Sequence, residues 1–196
     1  MEWFTLGADM TGDGRGEVLG IDSAGALWLY GGRADGSLDK ALKIGTGWSG
    51  MRVYGPGDLN SDGQADLLAI RADGTLWLYS GKGGGKLGKA VQVGKGWTGW
   101  RLVPAGDLTG DGKADILGVD PNGKLFAYAG KGTGYWQSRV QVGKGWSTYE
   151  LAAGADLNGD GKADIVGRDN VSRRLYFYAG KGTGFFGSRV AIGKGW

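Results

Sequence analysis

The chain repeats itself every 49 residues. The stretch Asp156-Leu-Asn-Gly-Asp-Gly-Lys-Ala-Asp164 has three earlier counterparts, at 9–17, 58–66 and 107–115, and their leading aspartates stand at 9, 58, 107 and 156. A fixed period of 20–50 residues is the mark of a repeat architecture, in which no single unit buries its own apolar faces. The 196 residues therefore read as one array of four units, spanning approximately 1–49, 50–98, 99–147 and 148–196.

Within a unit the pattern is that of β-structure. In the second, Arg52–Gly57 is a short strand entering the acidic stretch, and Ala65–Arg71 is a nearly continuous apolar strand. Asp73-Gly74 is a hairpin signal, and Thr75–Ser80 is rich in aromatic and branched strand formers. Ala90–Val93 forms a short outer strand, and Gly94-Lys-Gly-Trp97 closes the unit. The fourth unit departs at Asp169–Arg174, which lacks the turn glycine and carries one extra residue. Four-stranded meanders repeating at 40–50 residues predict an all-β fold, a β-propeller of four sequential four-stranded antiparallel blades. Each unit supplies all its own strands, which favours a closed ring of four. A ring shared between two chains is the alternative, so the chain is expected to be a monomer or a dimer.

The repeated loops are built for a hard cation. Oxygen-bearing side chains recur at positions 1, 3, 5 and 9, and a glycine after position 5 turns the backbone so that the position 7 carbonyl is offered. This assigns Asp9, Thr11, Asp13, Arg15 and Glu17 to the first loop, and Asp58, Asn60, Asp62, Gln64 and Asp66 to the second. Asp107, Thr109, Asp111, Lys113 and Asp115 form the third, and Asp156, Asn158, Asp160, Lys162 and Asp164 the fourth. Calcium suits such oxygen-only, carboxylate-rich loops better than magnesium, which demands a stricter octahedron. Up to four Ca2+ are expected, with a structural role. The first loop is the least regular, since Thr11, Gly16 and Glu17 replace Asn, Ala and Asp, and it is expected to bind most weakly.

Composition then excludes whole classes of function. There is no histidine and no cysteine, which removes Ser-His-Asp triads, thiolate metal sites and disulfides. No run of 18 apolar residues exists, so no membrane-spanning helix is expected, and no signal peptide is evident. Twelve of the 20 carboxylates stand in the loops, leaving Glu2, Asp22, Asp35, Asp39, Asp73, Asp120, Glu150 and Asp169 against 23 Lys and Arg. These eight form no evident catalytic pair, so no catalytic residues are assigned. Bound divalent ions would make the surface strongly basic, and such a field favours acidic partners. The glycine-lysine turns 130–134 and 180–184 lack the order and the strand-to-helix setting of a phosphate loop, and nucleic acid is not an expected partner.

The loops, followed by an apolar strand, a turn and Leu-Trp-Leu-Tyr, resemble the VCBS/FG-GAP repeat family over essentially the whole chain. That resemblance implies a calcium-binding propeller related to the integrin head and to propeller lectins, and an extracellular setting beside secreted hydrolases. The expected function is recognition or adhesion, with a glycan or cell-wall polymer as ligand. A scaffold making protein–protein contacts is the alternative, and an enzyme acting on polysaccharide the third reading. Candidate ligand contacts are the closing tryptophans Trp48, Trp97, Trp146 and Trp196, each either a packing wedge or a flat platform for a sugar ring. Tyr135, Trp136, Phe185 and Phe186 follow glycine-rich turns and are expected at exposed blade edges.

Overall fold

The computed structural model describes residues 3–195, which contain sixteen strands and no helix. They form four antiparallel sheets in sequential order, so the fold is all-β with four propeller blades. The first blade is β1 (Trp3–Gly7), β2 (Glu17–Ile21), β3 (Leu27–Gly31) and β4 (Leu42–Gly45). The second is β5 (Arg52–Gly57), β6 (Asp66–Ile70), β7 (Leu76–Gly81) and β8 (Leu87–Gly94). The third is β9 (Arg101–Pro104), β10 (Ile116–Val119), β11 (Leu125–Tyr128) and β12 (Val140–Gly143). The fourth is β13 (Tyr149–Ala153), β14 (Ile165–Asp169), β15 (Arg174–Tyr178) and β16 (Val190–Lys194). The chain divides into two compact units, Met1–Thr98 and Gly99–Trp196, each with two blades.

Strand position sets burial. In the second blade β6 is buried at every residue, as a continuous apolar strand between covered faces must be. The outer strands β4, β12 and β16 are largely exposed, and lysines such as Lys43 and Lys194 stand on these edges, where charge discourages further pairing. A register shift recurs at one position of the last hairpin in all four blades, at Leu27/Trp28, Leu76/Trp77, Leu125/Phe126 and Leu175/Tyr176. Such bulges re-aim the chain. Here they lead it into the closing tetrapeptide.

That tetrapeptide is a wedge. A Cβ on Gly45, Gly94 or Gly143 would lie 2.4, 2.5 or 2.3 Å from the indole nitrogen of Trp48, Trp97 or Trp146, so only glycine leaves room for the ring. All three tryptophans are buried, which corrects their reading as sugar platforms: their ring faces are packing surfaces. Trp196 lies outside the described residues.

In the first unit Leu19, Ile21, Leu27 and Leu29 pack against Val53, Leu67 and Ala69 of the next blade. The Trp48 and Tyr79 rings meet at 4.8 Å, and the Trp3 indole donates to the Val53 carbonyl at 3.2 Å. In the second unit Leu117, Val119, Leu125 and Ala127 pack against Tyr149, Ile165 and Tyr176. Trp146 sits 4.9 Å from Tyr178, and the Arg101 guanidinium donates to the Trp146 carbonyl at 2.7 Å.

The middle hairpins turn on Gly25, Gly74 and Gly123, with φ between 71° and 77°. The fourth has Arg173 in this left-handed region at φ 53°, a conformation that disfavours any Cβ. Asp169 compensates by accepting hydrogen bonds from the Val171 amide and the Ser172 and Thr148 hydroxyls.

Candidate functional site

Each acidic loop joins the first two strands of its blade, and its carboxylates do three different things. The position 1 aspartate organises the loop from within. Asp156 accepts from the Gly159 and Asp160 amides through Oδ1 and from Gly161 through Oδ2, at 2.7, 3.2 and 2.8 Å. Asp9 and Asp107 do the same in their loops, and Asp58 accepts from the Asn60 and Asp62 amides through Oδ1 and from Gly63 through Oδ2. The Gly161 amide, outweighing burial, helps hold the Asp156 carboxyl below its ordinary range.

The position 5 aspartate accepts from the position 7 amide and meets a cation. Asp111 pairs with Lys113 at 3.1 Å, Asp160 with Lys162 at 3.2 Å and Asp13 with Arg15 at 3.3 Å. Gln64 holds position 7 of the second loop, and there Lys82 approaches Asp62 from the outer hairpin at 3.7 Å. The Lys113 ammonium is the main reason the Asp111 carboxyl is lowered.

Position 9 reads from the sequence as a ligand, but its bonding role does not. Asp66, Asp115 and Asp164 are buried and staple two strands. Oδ2 accepts from the amide of Leu59, Leu108 or Leu157 at 2.9, 2.9 and 2.8 Å. Oδ1 accepts from Gly81, Gly130 or Gly180 at the end of the third strand, at 2.9, 2.7 and 2.8 Å. A Cβ on these glycines would sit 2.1, 2.2 or 2.0 Å from the carbonyl oxygen of Ala65, Ala114 or Ala163, so the staple requires glycine. The signal was present as a glycine 15 or 16 residues beyond each of these aspartates. Burial raises the Asp66 and Asp115 carboxyls above their ordinary value.

The first loop is arranged differently. Gly32 donates to the Gly16 carbonyl, so the Glu17 carboxylate does not take up the bond to the third strand that position 9 makes in the other loops, although Glu17 itself pairs with Gly31. Its Oε2 accepts from the Met10 amide at 2.8 Å, and its Oε1 from the Thr11 hydroxyl at 2.8 Å. Asp9, Asp13 and Glu17 thereby bring ligand oxygens within 4.8 Å of one another, and among the described residues they alone form such a carboxylate trio.

The donor set fits a hard divalent cation. It is oxygen-only and carboxylate-rich. Asn60 contacts Asp62 and Asp66, and the buried Thr109 hydroxyl, beside Asp111 and Asp115, makes no well-directed hydrogen bond. In the first loop Asp9, Thr11, Asp13 and Glu17 would hold the ion.

The second unit has, in addition, a cleft. The first unit shows its filled version. There the turn glycine Gly85 donates to Met10 at 3.0 Å, and a Cβ on it would lie 2.9 Å from Leu42, 3.4 Å from Ile44 and 3.5 Å from Leu29. The equivalent Gly184 makes the same bond to Leu108 at 2.9 Å. The three facing residues are now Val140, Val142 and Ala127, and a Cβ on Gly184 would meet only Ala127 and Thr109, both at 3.7 Å. The missing methyl groups leave a half-open cleft of about 160 Å³. Val140, Val142 and Ala127 give it an apolar wall, and Gln137, Ser138 and Thr183 give it polar groups. Phe185 stands at the rim.

Of the aromatic residues expected at blade edges, Tyr135 and Phe185 are exposed. Trp136 and Phe186 are corrected to half-buried positions: they bridge back to Gly130 and Gly180, and Phe186 packs on the apolar core.

Comparison with known proteins places this geometry. No curated protein matches the sequence. Among solved structures, a lectin of Agrocybe aegerita, described for specific recognition of non-reducing terminal N-acetylglucosamine, is 26% identical with a TM-score of 0.66. The similarity covers 94% of this chain and 50% of the lectin. The BP39L lectin from Burkholderia pseudomallei is 14% identical with a TM-score of 0.61, over 97% of this chain and 55% of that one, and supports the fold alone. The chain thus spans about half the length of these lectins. The model of the FG-GAP-like repeat matches three times, over residues 9–69, 58–118 and 107–167, each match running from one acidic loop into the next blade. Those overlapping matches cover most of the chain, and it belongs to the FG-GAP-like repeat family.

Proposed function

We propose that the chain is an extracellular glycan-binding propeller module, held in shape by calcium in its acidic loops, and that it binds its ligand without transforming it. The observation that carries this reading is the cleft of the second unit. A sugar ring has an apolar C–H face and a polar edge, and the cleft offers an apolar wall, an aromatic rim and the polar side chains of Thr109, Gln137, Ser138 and Thr183. At about 160 Å³ it takes one sugar residue or part of one. The N-acetylglucosamine recognised by the Agrocybe aegerita lectin makes that sugar the first ligand to test.

Calcium and sugar are linked through Thr109, which is position 3 of the third acidic loop and also lines the cleft. Thr109, which would help hold the ion, would also fix one wall of the sugar site. A single small cleft gives weak binding, and adhesion to a polymer would come from several modules acting together. The basic surface adds an electrostatic attraction to acidic polymers, screened over about 8–10 Å at physiological salt.

The test is retention on beads carrying N-acetylglucosamine, glucose or polygalacturonate, in calcium or chelator and at low or high salt. We expect retention on N-acetylglucosamine in calcium, persisting in high salt and lost with chelator, and salt-sensitive retention on the acidic polymer. No retention on any bead would leave the module a protein-binding scaffold.

A further inference from the structure

Oxygens bound to one calcium ion lie about 2.3–2.6 Å from it, so any two of them stand no more than roughly 5 Å apart. The first acidic loop meets that limit without rearrangement. One oxygen each from Asp9, Asp13 and Glu17 falls within 4.8 Å of the others. Among the described residues, which include all four loops, no other carboxylate trio comes so close.

The cause lies at position 9. Asp66, Asp115 and Asp164 each give one oxygen to a loop amide and the other to the amide of Gly81, Gly130 or Gly180. Turning such a carboxylate toward the loop would strand a buried amide, which is costly. Glu17 is one methylene longer. The third-strand amide that would compete for it, that of Gly32, donates to the Gly16 carbonyl instead. Glu17 Oε1 accepts from the Thr11 hydroxyl at 2.8 Å and the Thr11 amide at 3.2 Å. The same hydroxyl lies 3.3 Å from Asp9 Oδ1, so positions 1, 3 and 9 converge. The loop is also braced from the second blade. Gly85 and Gly84 of its outer turn donate to the Met10 and Thr11 carbonyls at 3.0 and 3.1 Å. Three carboxylates held together repel one another, and a cation relieves that repulsion. A site assembled in advance also gives up less freedom on binding.

We propose that the first loop is the high-affinity calcium site of the chain and fills before the other three. The proposal rests on the reading that these loops hold calcium. It reverses the order expected from the irregular sequence of this loop: Glu17 assembles the site that the shorter aspartates leave spread out. Because Met10 and Thr11 are bonded to the second blade, the first ion bound would brace the contact between the first two blades.

Calorimetric titration of the chelator-stripped full chain with calcium chloride, with native mass spectrometry to count ions, tests the order of filling. One ion is expected to bind at least about tenfold more tightly than the rest. Asp13→Asn and Glu17→Gln are each expected to remove that tight step and leave the weaker ones. Asp160→Asn, the same change in the fourth loop, is expected to leave the tight step intact. Asp13 is exposed, so its variant reads the same step if Glu17→Gln fails to fold. Equal affinities at all sites overturn the proposal alone. So does a tight step that survives Asp13→Asn or is lost in Asp160→Asn. A chain that takes up no calcium overturns both the proposal and the reading it rests on.

Discussion

Ala127→Leu is expected to abolish sugar binding and leave the fold intact. The first unit already contains this side chain, as Leu29, in the equivalent place beside the equivalent turn, where it is 2% exposed. A leucine at 127 therefore enters a frame that accepts it, and its added methyl groups occupy the cleft that Ala127, Val140 and Val142 leave open. Filling a cavity next to a folded core stabilises or is neutral, so the melting temperature should hold or rise slightly. Affinity should fall at least tenfold, about 1.4 kcal/mol or more. Calorimetric titration with N-acetylglucosamine against both proteins measures this. Equal affinities would remove the cleft as the sugar site.

Removing calcium is expected to lower the melting temperature by about 5–10 °C for each site that is well filled. An ion at a hundred times its Kd stabilises by about 2.7 kcal/mol, and 1 kcal/mol shifts a chain of this size by about 2–4 °C. The size of the effect should depend on pH, with a definite sign. Burial raises the Asp66 and Asp115 carboxyls. Without an ion, the stability these groups contribute is present below their unfolded value of about 3.9 and is lost as pH rises through the folded value. Asp9 and Asp156 are lowered: burial opposes the backbone hydrogen bonds at Asp9, and the Gly161 amide leads at Asp156. Their contribution is present above about 3.9 and is lost as pH falls through the folded values. A cation relieves the cost of ionising Asp66 and Asp115 and competes with protons for all four. Calcium should therefore raise the melting temperature little near pH 4 and most at neutral pH. Calorimetric scans with calcium and with chelator across that range measure it. An increment that is flat with pH, or no increment at all, would contradict calcium as the ion these loops hold.

The array was legible because its signals are local and repeat four times. The 49-residue period, the Asp-Gly pair inside each acidic loop and the aromatic third strands specify four-stranded blades without any long-range information. The loops were legible as oxygen-rich turns, and the structure keeps positions 1 and 5 inside them. Position 9 was only half legible. Its aspartate reads as a ligand, but the staple to Gly81, Gly130 and Gly180 spans 15 or 16 residues and depends on how closely the third strand approaches the loop. The aromatic residues misled where burial depends on a bulge. Trp48, Trp97 and Trp146 turn inward onto glycines, and Trp136 and Phe186 fold back onto Gly130 and Gly180. The cleft was invisible for a different reason. It arises from three conservative replacements, Leu to Ala, Leu to Val and Ile to Val, which leave the apolar pattern unchanged and alter only volume.

The most direct measurement is a two-dimensional amide NMR titration of the calcium-loaded protein with N-acetylglucosamine oligomers. The account predicts shifts concentrated at residues 137–142 and 183–185 and at Thr109, and their loss in Ala127→Leu. Saturating sugar that leaves these amides unmoved, or moves a different surface, would contradict it.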